Sequence, residues 1–92
     1  MLYPFMTLND NTEIVHSEVI YDEGRERVKV CIERPVFGGF QHAECFLPEY
    51  EWIKNDGFSD GDIARFQELL ESTAHIIIEL AREGGLEDAS NF

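Results

Sequence analysis

The amino-acid sequence predicts a small α+β domain in which an antiparallel sheet of about four strands packs against one long C-terminal helix. The first half of the chain alternates runs of β-branched and aromatic residues with clusters of glycine, asparagine and aspartate. The last third places apolar residues three and four positions apart, which is typical of an amphipathic helix. A length of 92 residues suits a single domain, 1–92.

Four strands are predicted, and turn-forming residues separate them. The strand runs are 3–8, 12–21, 26–34 and 40–47. The turns fall at Asn9-Asp10-Asn11, Asp22-Glu23-Gly24 and Gly38-Gly39, because these residue types tolerate positive φ. Such short connections predict a meander of hairpins. The segment 48–55, which opens with proline, is expected to be a short helix or an irregular loop.

The C-terminal helix is predicted to span 60–83. Ser59 is the expected N-cap, and Asp62 three positions later resembles a capping box with Asp in place of Glu. Its apolar stripe comprises Ile63, Phe66, Leu70, Thr73 or Ala74, Ile77, and Leu80 or Ala81. Gly84-Gly85 is the predicted stop, and the tail 85–92 is expected to be loosely held.

Alternation along the strands predicts which side chains share a face of the sheet. Val28, Val30 and Ile32 should point into the core. The run 12–21 is apolar on both sides. One side carries Val15, Val19 and Tyr21, and the other carries Ile14, His16, Glu18 and Ile20. The second face of the sheet should therefore be partly apolar, covered by the segment after Leu47 or by another subunit.

The two cysteines are predicted to be reduced thiols on opposite faces of the sheet. A two-residue glycine turn would place Cys45 opposite Ile32, and a four-residue loop would place it opposite Val30. Both registers put Cys45 in the core and Cys31 on the other face, which disfavours a disulfide. Only an odd-length loop would align Cys31 and Cys45 with His16, and that row lacks a fourth zinc ligand.

Charge excludes some function classes. Nineteen acidic residues face seven basic ones, for a formal charge of −12. Such a surface repels nucleic acid and anionic membranes and attracts basic partners. The chain shows no signal peptide and no apolar run of membrane-spanning length, so we expect a soluble cytoplasmic protein. No motif predicts a cofactor or a metal site.

The residues with the strongest case for function lie on the helix and before it. Glu71, His75 and Glu79 recur every four positions, an arrangement that can hold a divalent cation but is more typical of a solvated polar face. The predicted interaction surface comprises Asp60, Asp62, Glu68, Glu71, His75, Glu79 and Glu83, with the aromatic residues Tyr50, Trp52 and Phe58. His42 is expected beside Glu33 and Glu44 on the outer face of a hairpin, with no nucleophile near it.

Three function classes follow from these features. The first is a non-enzymatic interaction or regulatory module that binds a basic protein surface. Bacterial antitoxins and small phage-type inhibitors share its profile of size and charge, although no family motif supports the analogy. The second is a homodimeric accessory protein that pairs its surplus apolar surface with a second copy. The third is a small metal protein or enzyme that uses its histidines or cysteines.

Overall fold

The computed structural model describes residues 1–84, and the predicted tail 85–92 lies outside them. The elements are β1 (Leu2–Thr7), β2 (Glu13–Ser17), β3 (Ile20–Asp22), β4 (Arg25–Val36), β5 (Gly39–Leu47), β6 (Glu51–Asp56) and α1 (Asp60–Arg82). The sheet is antiparallel, with strand order β1-β2-β4-β5-β6 and with β3 paired to the start of β4. The predicted α+β class is confirmed: one sheet carries one helix on one face.

The structure has six strands among residues 1–84 where the sequence predicts about four, and the difference arises in two places. The run 12–21 forms two strands, because pairing breaks after Ser17. There the Ser17 hydroxyl accepts from the backbone N–H of Lys29 at 3.0 Å and donates to the Glu18 carbonyl, so a side chain takes over bonds that a strand would make. The segment 48–55 is mostly strand β6 instead of a short helix or a loop.

β6 forms because the outer edge of β5 offers unpaired backbone groups. Trp52 lies opposite Cys45 and Lys54 lies opposite Glu44, with a bulge at Ile53 between them. The Asn55 side chain bonds both backbone groups of Phe58 at 3.0 Å, which turns the chain from β6 toward the helix.

The register of the β4–β5 hairpin agrees with the second of the two predicted registers. Val30 lies opposite Cys45 and Ile32 lies opposite Ala43. Gly39 is paired with Val36, so the turn residues are Phe37 and Gly38 and not the two glycines. Gly38 has a φ of +88°, a backbone conformation that residues other than glycine rarely adopt.

The hydrophobic core lies between one face of the sheet and α1. The sheet contributes Ile14, Val28, Val30, Ile32, Ala43, Cys45 and Leu47, and the helix contributes Phe66, Leu70, Ala74, Ile77 and Ala81. The predicted capping box starts the helix: the Asp62 N–H donates to Ser59 Oγ at 3.0 Å, and the Ser59 N–H donates to the Asp62 carboxylate at 3.3 Å. The helix ends at Arg82, one residue before the predicted end.

Candidate interaction surface

The outer face of α1 carries a row of exposed carboxylates, which we call the acidic helix face: Asp60, Glu68, Glu71, Glu79 and Glu83. They lie opposite the buried stripe of the helix, because positions three and four apart share one side. None of them forms an ion pair among residues 1–84. Glu71 accepts a hydrogen bond from the Gln67 amide at 3.0 Å. His75 is exposed between Glu71 and Glu79, where the spacing predicts it.

Asp62, which was predicted as part of this surface, is buried and fully engaged. Its carboxylate accepts from Ser59 as part of the cap and from Arg34 of β4 at 3.0 Å, and it also pairs with Arg65. The hydrogen bond from Arg34 is the main cause that holds the pKa of Asp62 below its ordinary value of 3.8. Asp62 therefore fastens the helix to the sheet and presents little surface to a partner.

The three aromatic residues of the predicted surface pack mostly inward. Phe58 is buried, with its ring edge-on to Phe66 at a centroid distance of 5.0 Å. Trp52 is half-buried, and its indole N–H donates to Gln67 Oε1 at 2.8 Å. Tyr50 is half-buried against the core at a positive φ of 58°. Phe58 and Trp52 therefore pack at the junction between β6 and α1, while Tyr50 lies in the turn before β6.

Every basic side chain of the sequence is already matched by a carboxylate. All seven Lys and Arg residues lie within the described part of the chain. They are Arg25, Arg27, Lys29, Arg34, Lys54, Arg65 and Arg82, and each forms at least one ion pair. Arg27 alone contacts three carboxylates and lies 4.1 Å from the Phe46 ring centre. The carboxylates of the acidic helix face consequently have no direct ion-pair partner among residues 1–84, although Glu79 lies near enough to Arg82 to interact with it electrostatically.

The face of the sheet that α1 leaves open carries charged side chains together with apolar ones, among them Leu2, Val15 and Ile20. His42 lies 2.7 Å from Glu44 through Nε2 and 3.2 Å from Glu33 through Nδ1, as the sequence predicts. The bond to His42 is the main cause that lowers the pKa of Glu44, and Lys29 pairs with Glu44 at 3.5 Å. A cavity of about 490 Å³ opens beside them, and Cys31 lies in its lining.

The two thiols lie on opposite faces, as predicted, and both are free and buried. Cys45 lies in the core, where burial raises its pKa to about 12. Cys31 lies opposite Glu44 on the open face, and burial raises its pKa as well. His16 is on the helix side of the sheet, opposite Val30, so the row of His16 with both cysteines does not form.

Sequence reasoning missed an exposed apolar tip on the β4–β5 hairpin. Val36, Phe37 and Phe40 are exposed there, and Phe37 is completely so, at 107% of its reference area. The signal was present in the sequence, because aromatic residues that flank a glycine turn stand at the end of a hairpin, beyond the reach of the helix.

Comparisons with known proteins add no further identification. No protein-family model matches the chain, and searches of curated proteins and of solved structures return no significant match. Within residues 1–84, no group of three or more potential metal ligands is placed to hold an ion. In the same residues, no helix has the length and apolarity to cross a membrane.

Proposed function

We propose that this protein is a non-enzymatic interaction module that binds a basic surface on a partner protein through the acidic helix face. The observation that carries this proposal is the distribution of charge. Every Lys and Arg forms an ion pair within the chain, while the carboxylates of the acidic helix face form none among residues 1–84. A basic partner would supply the missing cations.

The helix suits this role because it is held firmly. It runs for 23 residues, and its opposite side is buried in the core. Both ends are tied to the sheet: Arg34 reaches Asp62 near the start, and Arg82 pairs with Glu26 at 2.7 Å near the end. Carboxylates on such an element are preorganised. Binding would therefore order only their own side chains, and the loss of conformational entropy on binding would be small.

Self-association is the second candidate, and the exposed hairpin tip favours it. Val36, Phe37 and Phe40 form an apolar patch that a second copy could cover. A formal charge of −12 on each copy opposes that pairing. Sedimentation velocity over a dilution series separates the two candidates: a concentration-dependent dimer that Phe37→Ser abolishes would favour self-association.

The proposal is tested with two variants of equal charge. One removes three carboxylates of the acidic helix face: Glu68→Gln, Glu71→Gln and Glu79→Gln. The control removes three exposed carboxylates elsewhere: Glu18→Gln, Glu23→Gln and Asp56→Asn. Each immobilised protein is incubated with a lysate of its native source, and captured proteins are quantified by mass spectrometry.

A basic protein captured by the wild type and the control, but depleted at least about tenfold by the helix variant, is the expected result. Equal depletion by both variants would show that net charge alone determines capture. Equal capture by all three proteins would place the contact on another surface. Either result contradicts the proposal.

A further inference from the structure

A small cleft lies beside the exposed hairpin tip on the open face of the sheet. It has a volume of about 220 Å³ and is lined by Thr7, Asn11, Glu13, Glu33, Pro35 and Phe40. This is below the range of about 300–1,000 Å³ that is usual for pockets of drug-sized ligands. The cleft therefore suits a single side chain better than a complete small molecule.

Two carboxylates face each other across this cleft. Glu13 of β2 and Glu33 of β4 are directly opposite in the antiparallel pair. Like charges in this position destabilise a sheet, and proteins usually place an opposite charge there. Among residues 1–84 no Lys or Arg pairs with either of them. In the same residues Glu33 forms an ion pair with His42, at 3.2 Å, and Glu13 forms none.

Phe40 forms an aromatic wall of the same cleft. Its side chain is 67% exposed, and Pro35 lies directly opposite it in the neighbouring strand. An exposed aromatic ring next to unmatched carboxylates places an apolar surface and negative charge side by side. A cation whose alkyl stem lies on the ring would satisfy both the carboxylates and the apolar wall.

We propose that this cleft binds one basic side chain of a partner protein, with its cation between Glu13 and Glu33 and its stem against Phe40. Charge complementarity selects the occupant, since among residues 1–84 neither carboxylate pairs with a Lys or Arg and Glu33 has only the imidazole of His42 as an ion-pair partner. Arginine is favoured over lysine, because a planar guanidinium can stack on the ring and bond carboxylates through several N–H groups. The cleft lies on the open face, opposite the acidic helix face, so this inference is independent of the proposed function.

The test uses N-acetyl-arginine amide as a probe, titrated into the ¹⁵N-labelled protein and followed by NMR. N-acetyl-citrulline amide, which has nearly the same shape without the charge, is the neutral control probe. Two variants alter the cleft: Glu13→Gln removes one carboxylate, and Phe40→Leu removes the aromatic ring. Glu23→Gln and Phe37→Leu are the matched controls, since each changes an exposed residue of the same type outside the cleft lining.

Arginine is expected to shift the amide signals of Glu13, Glu33 and Phe40 along one saturable curve, with a Kd in the roughly millimolar range. Phe40→Leu should weaken binding about two- to fivefold, as expected for an exposed cation–π contact, and Glu13→Gln should weaken it similarly or more. Both control variants should bind like the wild type, and citrulline should not bind.

Three results would overturn the inference. The first is equal binding of arginine and citrulline. The second is equal weakening by Glu13→Gln and Glu23→Gln, which would indicate diffuse attraction to a negative protein. The third is that Phe40→Leu and Phe37→Leu have the same effect. None of these results bears on capture by the acidic helix face, so the two proposals fail separately.

Discussion

Arg34 is the side chain that joins most parts of this fold. From β4 it donates to Gln41 at 2.8 Å, to Asp10 in the turn before β2 at 3.3 Å, and to Asp62 in the first turn of α1 at 3.0 Å. Its guanidinium carbon lies 5.0 Å from the Phe58 ring centre. The Arg34 guanidinium thus contacts the start of the helix, the neighbouring strand and the buried ring of Phe58.

Replacing Arg34 with methionine should lower the free energy of unfolding by about 1.5–3 kcal/mol. The loss arises because the mostly buried Asp62 carboxylate keeps its charge but loses a charged hydrogen-bond donor. Arg65→Met is the matched control: Arg65 pairs with the same carboxylate but is 69% exposed, so its loss should stay below about 1 kcal/mol. Urea unfolding measures both, and equal losses would contradict this role for Arg34.

The same contact predicts how stability responds to acid. Hydrogen bonding to Arg34 is the main cause that keeps the pKa of Asp62 in the folded chain below 3.8. The unfolded chain therefore binds a proton first as the pH falls. The stabilisation from Asp62 is complete above pH 3.8 and is lost as the pH falls through the folded pKa.

Arg34→Met should consequently lose less stability than the wild type as the pH falls below 3.8, because less of its stability depends on the charged Asp62 carboxylate. Urea unfolding at several pH values measures the two slopes. Identical slopes in the wild type and the variant would show that Arg34 does not set the acid response.

The β4–β5 strand pair determines the accessibility of the two cysteines. Cys31 lies on the open face at 6% exposure, while Cys45 is completely covered by the helix layer. A thiol reagent should therefore label Cys31 faster in the native protein, and Cys45 should react only when the sheet and helix separate. Cys31→Ser should remove the fast phase, and urea should accelerate the slow one. Equal slow rates for both thiols would contradict the face assignment.

Elements with strong local signals could be predicted from the sequence. The helix has a capping box, an apolar stripe and a glycine stop, so its predicted and observed bounds differ by one residue. β6 could not be predicted in the same way. Pro48 and the residues Asn55-Asp56-Gly57 have the properties of a loop, and the strand exists because the edge of β5 offers it backbone partners.

The candidate surface was predictable only in part, for a related reason. Helical spacing alone determines that Glu68, Glu71 and Glu79 share an outer face. The burial of Asp62 and Phe58 depends on Arg34, which is more than twenty residues away in the sequence. A contact of this kind has no local signal. The cleft at Phe40 was missed because most of its lining residues come from four strands, β1, β2, β4 and β5, whose registers the sequence does not give.

At the scale of the entire chain, the distribution of charge connects the ion pairs of the fold with the candidate interaction surface. The formal charge of −12 is not spread evenly, because the basic side chains gather at the sheet, its turns and the helix ends, where each already has a carboxylate partner. Among residues 1–84 most of the carboxylates that form no ion pair lie on the acidic helix face, and Glu13 is another, on the open face of the sheet. Long-range attraction to a basic partner is the expected physical consequence.

The most direct test of the proposed function is the salt dependence of binding to the partner captured by the wild type. Kd is measured by titration calorimetry between about 50 and 200 mM NaCl for the wild type and for Glu68→Gln/Glu71→Gln/Glu79→Gln. The wild-type Kd should rise at least roughly tenfold over this range, and the variant should show a much smaller rise, because fewer charge pairs remain to be screened. A wild-type Kd that does not change with salt would contradict the proposal.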